Sequence, residues 1–207
     1  MLSPRPDRRR DDGYSLVELA VVVAVTGILL AGVGPVVVAV LRAFGTVQDS
    51  SLVHDRGRVV LDRLDRDLRQ VSAVNRPTTV GGRVYLEYRA DVGTGPVTCT
   101  QWRLDPSATT LDVRSWTEGA ATAPAFATAA SGVVNAPSEP PFTLTPAGGA
   151  LLHQQLGVRL RMRLPHGDAV TSTVLTARNS SEASASNADA DGDGLSDTPV
   201  CTAFGRP

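Results

Sequence analysis

From Leu19 to Leu41 the chain runs 23 residues without a charge, and no other segment limits its structure as much. A helix rises about 1.5 Å per residue, so this run spans roughly 35 Å, enough to cross a hydrocarbon core of about 30 Å. A single carboxylate, Glu18, stands at its threshold, after Gly13-Tyr14-Ser15-Leu16-Val17. An acid that close to lipid is costly and calls for a partner. Arg5, Arg8, Arg9 and Arg10 cluster ahead of the run, and Arg42 is the first basic residue beyond it. That asymmetry predicts a cytoplasmic N-terminus and an extracytoplasmic remainder in a single-pass plasma-membrane protein. An ordinary secretory signal has a shorter apolar stretch followed by a small-residue cleavage site. Here the polar segment precedes the apolar run.

These residues resemble the N-terminus of the type IV pilin and pseudopilin family. Its members carry a short charged leader, a Gly, an aromatic residue, a few small or apolar residues, and Glu as the fifth residue of the mature chain. The resemblance covers about thirty of the 207 residues. It implies that Gly13 ends the leader, that Tyr14 is the new and methylated N-terminus, and that Glu18 is the family's acid. Tyr14 stands where the family usually has Phe, and keeps the aromatic ring. Pro35 lies where the family's long helix often bends. The implied partners are a prepilin peptidase cutting after Gly13, other pilins or pseudopilins, and an inner-membrane assembly platform. Cutting there would leave the anchor on the mature protein; an uncut signal anchor is the alternative. Glu18 would face the amine of Tyr14 on a neighbouring subunit, or else lie solvated among headgroups.

The expected fold is α+β and pilin-like. A long N-terminal helix, its first half transmembrane, packs on an antiparallel β-sheet, and a flexible acidic tail follows. The expected divisions are a leader over 1–13, the membrane and assembly half of the helix over 14–41, and its amphipathic half over 42–76. An antiparallel β domain covers 77–179 and the acidic tail 180–207. The helix is expected to reach about Val74, with Leu61, Leu64, Leu68 and Val71 on one face and Asp62–Arg66 and Asp65–Arg69 as i,i+4 pairs. Gly34-Pro35 should kink or locally melt it. Asn75-Arg76-Pro77 should end it.

Period-two alternation then predicts strands at Val84–Arg89, Val97–Leu104 and Leu111–Trp116. Residues 117–141, rich in Ala, Thr and Pro, read as a loop, and Phe142–Leu144 as a short edge strand. A hairpin joins Leu156–Leu164 to Ala169–Arg178 through Pro165-His166-Gly167-Asp168. The helix-then-meander order looks like the J-type minor pseudopilins and W-type minor pilins, with Leu61–Gln70 and Val174–Asn179 as supporting similarities.

Asp189, Asp191, Asp193 and Asp197 occupy positions 1, 3, 5 and 9 of a calcium-loop pattern, with Gly194 at 6 and the carbonyl of Leu195 at 7. Val200 stands where an EF-hand loop has its bidentate Glu, so the affinity for Ca2+ should be weak. The alternative is a solvated acidic linker. Cys99 and Cys201 are the only cysteines; outside the cytoplasm such a pair points to a disulfide, with two free thiols as the alternative.

The formal net charge is −1 and gives no reason to expect a nucleic-acid partner. Arg159, Arg161 and Arg163 could grip phosphate, but period-two charges opposite a core face read as a solvated strand. The three histidines are scattered and suggest neither a triad nor a zinc site, so no enzyme is expected. The expectation is a structural minor pilin or pseudopilin of a type IV pilus or type II secretion-like filament, on the cell surface once assembled. The alternative is a membrane-tethered calcium-binding or adhesive domain outside any filament.

Overall fold

The computed structural model describes residues 15–91, 93, 95–164 and 167–207, and for 41–56 the helical backbone alone. Gly13 and Tyr14, and the turn residues Pro165 and His166, lie outside the described residues. The chain divides into two compact units, Met1–Val47 and Gln48–Pro207.

In the first unit the described residues from Leu16 onward belong to helix α1 (Leu16–Leu68). Leu16–Val40 is long and apolar enough to cross a membrane, and none of it is buried by the rest of the protein. Glu18 sits in the first turn, where a carboxylate is favoured by the helix dipole. Pro35 lies inside the helix, which stays α-helical through Gly34-Pro35. The expected local melting is therefore not observed.

Among its described residues the second unit holds the end of α1 and nine strands. Val60, Leu64 and Leu68 are buried along one helix face. Asp65 pairs with Arg69 at 2.6 Å. The other expected pair is replaced: Arg66 Nε donates to the backbone carbonyl of Asp62, and the Asp62 carboxylate lies 3.8 Å from Arg58. The helix ends at Leu68 rather than near Val74. Gln70 N donates to Asp67 O at 3.0 Å, an i→i−3 closure of the last turn. Val71, Ala73 and Val74 are then buried as strand β1 (Val71–Val74), whose two β-branched valines suit a pleated surface better than a helix.

One antiparallel sheet runs β1, β3 (Arg83–Ala90), β4 (Thr98–Asp105), β5 (Thr110–Thr117), β6 (Ala127–Ser131), with β2 (Thr78–Val80) also on β3. A second sheet runs β7 (Phe142–Thr145), β8 (Gln155–Leu164), β9 (Gly167–Thr176). Two sheets thus replace the single expected meander, and β6 lies inside the stretch expected to be loop. Beyond β6 the chain reaches β8, with Val133 bridging Met162 and Arg163 N donating to Gly132 O.

Register places Leu86 opposite Trp102 and Trp102 opposite Val113. Those side chains join Leu64, Leu68, Val158 and Leu160 in one core. The other face of β3–β5 carries Glu87 opposite Gln101 and Gln101 opposite Arg114, yet all three are buried. The cover is the C-terminal segment, and the expectation of a flexible tail is corrected here. Ser184 and Ser186 hydroxyls donate to the carbonyls of Ser72 and Val74 on β1. Asn187 exchanges hydrogen bonds with both backbone groups of Ala147. Serine and asparagine side chains thus take the place of apolar burial in holding this segment.

Candidate functional site

The N-terminal helix is the first candidate. Leu16, Ile28 and Leu30 are 83%, 72% and 67% exposed, so the apolar run meets nothing of its own chain among the described residues. Gly27, Gly32 and Gly34 have open space where a Cβ would stand. The fold itself does not require glycine there, whereas close approach of another helix would favour it. Glu18 is exposed at the head of this surface. Its expected partner, the amine of Tyr14, lies outside the described residues.

The tail is the second candidate. Carboxylate oxygens of Asp189, Asp191 and Asp197 lie within 4.8 Å of one another. Three hard oxygen donors at that spacing suit a calcium-like cation. Asp193, expected as a ligand, is not among the three; its carboxylate accepts the Leu195 backbone N–H at 2.7 Å. The loop turns through Gly192 and Gly194, at φ +73° and +81°, where a side chain would be strained. Arg76 Nε lies 3.5 Å from Asp189 Oδ2, and Asp189 Oδ1 is buried without a hydrogen-bond partner. Asp197 Oδ2 accepts the Ala190 N–H at 2.9 Å. The three acids fit a hard cation, with Arg76 already partly neutralising the first of them.

Cys99 and Cys201 form a disulfide across 102 residues. It joins β4 to the tail beside Trp116, whose ring meets Phe204 edge-on at 5.3 Å. The rest of the tail seals a buried polar layer. Glu87 Oε1 accepts Arg206 Nε at 2.7 Å and Gln101 Nε2 at 3.0 Å, and Glu87 Oε2 accepts Arg206 Nη2 at 3.0 Å. Arg114 donates to Gln101 Oε1 and to the carbonyls of Phe204 and Gly205. Burial, then Arg103, lowers the Arg114 pKa from its ordinary value. Strand alternation in the sequence sets Glu87 apart from Leu86 and Tyr88, but it does not show what covers the polar face. Nothing local signals that residues 90 or more positions away cover it.

A further polar chain fastens helix to sheet. Tyr88 Oη donates to Asp67 Oδ2 at 2.6 Å and accepts Trp102 Nε1 at 3.0 Å. Burial, reinforced by Asp67, pushes the Tyr88 phenol well above its usual range and keeps it a neutral donor. Of the arginine stripe, Arg159 and Arg161 are paired with Glu139, at 3.5 and 2.5 Å. Arg161, through its hydrogen bond, holds the Glu139 carboxyl below its ordinary value.

Residues 8–34 match the prokaryotic N-terminal methylation motif. The chain therefore carries a type IV pilin-like prepilin signal, joined to an α+β body and a membrane-length helix that makes it a membrane-anchored, single-pass protein. No curated protein and no solved structure matches the chain.

Proposed function

We propose that this protein is a non-catalytic minor pilin or pseudopilin. It is cut after Gly13 by a prepilin peptidase, methylated on Tyr14, and drawn with other pilins through an inner-membrane assembly platform into a type IV pilus or type II secretion-like filament. The observation that carries the reading is the coincidence of the 8–34 motif with a 25-residue apolar span of α1 that its own chain leaves uncovered. The helix-then-sheet order supports a J-like or W-like minor subunit. Glu18, paired with the Tyr14 amine of a neighbour, sets axial register, because an unpaired charge in lipid is expensive.

N-terminal mass spectrometry of the protein from cells with active peptidase tests this. The expected mature chain begins at methyl-Tyr14. Gly13→Ala retains the leader, and Glu18→Ala is cleaved but enters filaments poorly. An intact leader on the native chain sinks the reading in favour of a tethered domain outside any filament. Normal incorporation of Glu18→Ala refutes the pairing.

The convergence of Asp189, Asp191 and Asp197, together with a buried and unpartnered Asp189 Oδ1, favours a second property, weak calcium binding by the tail. Extracellular calcium fills sites of about millimolar affinity.

A further inference from the structure

Residues 198–207 of the tail cross the polar face of β3–β5 as a strap. The Val200 N–H and C=O are both bonded by the Asn75 side chain, at 2.8 and 2.7 Å. The Gly205 carbonyl accepts Gln101 and Arg114, Arg206 meets Glu87, and Tyr85 Oη donates to the carbonyl of Pro207. Apolar burial adds little. Besides Cys201, only Val200 and Phe204 of the strap bury apolar side chains, in part, in a small cluster with Cys99 and Trp116 that is separate from the main core.

A strap over an apolar face stays shut because lifting it wets hydrocarbon. This one covers Glu87, Gln101 and Arg114, all buried, and lifting it returns charges and an amide to water. A buried ion pair as a whole regains little more than the hydration it lost, although removing one partner alone is costly. Most of the strap's other hydrogen bonds exchange for equivalents with water. Cys201, at φ +60°, sits in the left-handed region that disfavours a side chain. With the disulfide closed, Glu87 and Arg206 fix where the strap lies; without it, open and closed forms lie close in free energy. The bond is also within reach. A cavity of about 290 Å³ beside it is bordered by Gly119, Ala120, Thr202 and Ala203, whose small side chains leave room for a thiol. Cys201 is 8% exposed and Cys99 1%, so Cys201 Sγ is the sulfur to attack.

We propose that Cys99–Cys201 is a redox-operated clasp: forming it shuts the strap over the Glu87–Gln101–Arg114 layer, and reducing it lifts the strap and opens that layer to water. The oxidant is a disulfide-carrying oxidoreductase of the cell envelope. The two thiols pass two electrons and two protons to its disulfide, which becomes a dithiol. Opening begins when the thiolate of a dithiol attacks Cys201 Sγ. The bond to Cys99 breaks, and Cys99 leaves as a thiolate and takes up a proton. The second sulfur of the dithiol then attacks its own partner sulfur in the mixed disulfide and releases Cys201. Cytoplasmic thiols stay reduced, so the strap closes only after the body has crossed the membrane.

Hydrogen exchange read by mass spectrometry, on the full chain in detergent before and after excess dithiothreitol, tests this. In the oxidised protein the Val200 N–H, given to Asn75, and the Gly205 N–H, given to Thr202, should exchange slowly. Reduction should speed both by about tenfold or more, while amides of β8 and of α1 near Leu64 stay protected. Cys201→Ser should do the same without reductant, and chymotrypsin should then cut after Phe204, a site the oxidised chain protects. A strap that stays protected in the reduced chain and in Cys201→Ser overturns the proposal. So does a core that unfolds together with the strap, or a disulfide that dithiothreitol reaches only once the core has unfolded. These readouts are independent of whether the leader is cut or the anchor enters a filament.

Discussion

Glu87 is fully buried on a sheet face that the tail seals, so replacing it measures what holds the tail down. Its carboxylate accepts hydrogen bonds from Arg206 Nε and Nη2, Gln101 Nε2 and, at 3.2 Å, Asn75 Nδ2. Glu87→Gln keeps the volume, removes the charge, and turns an amide N–H₂ toward one pair of these donors. Hydrogen bonds to charged groups contribute about 1.5–3 kcal/mol each, and breaking a buried pair costs about 3–5 kcal/mol. Arg206 keeps 25% of its side chain exposed and regains some hydration when released, which places the expected loss near the lower end, about 3 kcal/mol. At a urea slope of about 1–3 kcal/mol/M, that moves the unfolding midpoint by about 1–3 M. Trp102 in the core and Trp116 beside the tail disulfide give fluorescence probes of the two sides of the sheet. Arg206→Ala should destabilise comparably, because it leaves a buried carboxylate short of two donors. The double variant should fall short of the sum by at least about 1.5 kcal/mol, since partners in one network couple. A Glu87→Gln loss under about 1 kcal/mol, or additivity within about 0.5 kcal/mol, would refute the claim that this pair anchors the tail.

Calcium at ten times its Kd should stabilise the protein by about 1.4 kcal/mol in a thermal melt, and chelator should reverse it. Asp189→Ala with Asp191→Ala should abolish the shift, while Asp193→Ala should largely keep it because that carboxylate is committed to Leu195. Equal loss in both variants would reject the converging triad in favour of the full loop pattern, and an unchanged shift in the double variant would reject the site. Asp105 has its carboxyl held far below the usual range, first by the Ser107 hydroxyl at 2.5 Å, then by Arg83 at 2.7 Å. A depressed folded pKa adds stability above the unfolded value near 3.9 and loses it as pH falls toward the folded value. Asp105→Asn should therefore cost about 1–3 kcal/mol at pH 7, and urea midpoints of wild type and variant should converge below about pH 4. A gap independent of pH would show that the ionised form is not what is favoured.

The parts of this fold legible in the sequence are those decided by short-range pattern. An uncharged run of 23 residues admits little besides a membrane-length helix. Alternation in Arg83–Ala90, Thr98–Asp105 and Thr110–Thr117 marks strands because opposite faces meet different neighbours. Val71–Val74 was misleading, since Leu61, Leu64, Leu68 and Val71 share a helical spacing that continues into a segment whose pairing with β3 decides otherwise. The tail was illegible for a different reason. Its Ser, Asn and Asp residues look like disorder by composition, but Ser184, Ser186 and Asn187 answer particular backbone groups on β1 and in the loop at Ala147. Hydropathy has no term for that complementarity.

The two units differ in how complete each is by itself. In Gln48–Pro207 the apolar sheet face meets α1 and its polar face meets the tail, and a disulfide closes the arrangement. In the stretch Leu16–Val40 every residue is exposed and the glycines face empty space. Burying a Val or Leu side chain contributes about 1.5–3 kcal/mol, so surroundings outside the chain must supply that for the whole helix. Lipid alone satisfies the leucines and valines, but it leaves Glu18 without a counter-charge and offers no reason for glycine at 27, 32 and 34. On the proposed function, a neighbouring helix would supply both a close-packing surface and, through its amino terminus, a cation for Glu18. The acid and the glycines together are what favour assembly over simple anchoring, and they are why Glu18→Ala is the variant that separates the two.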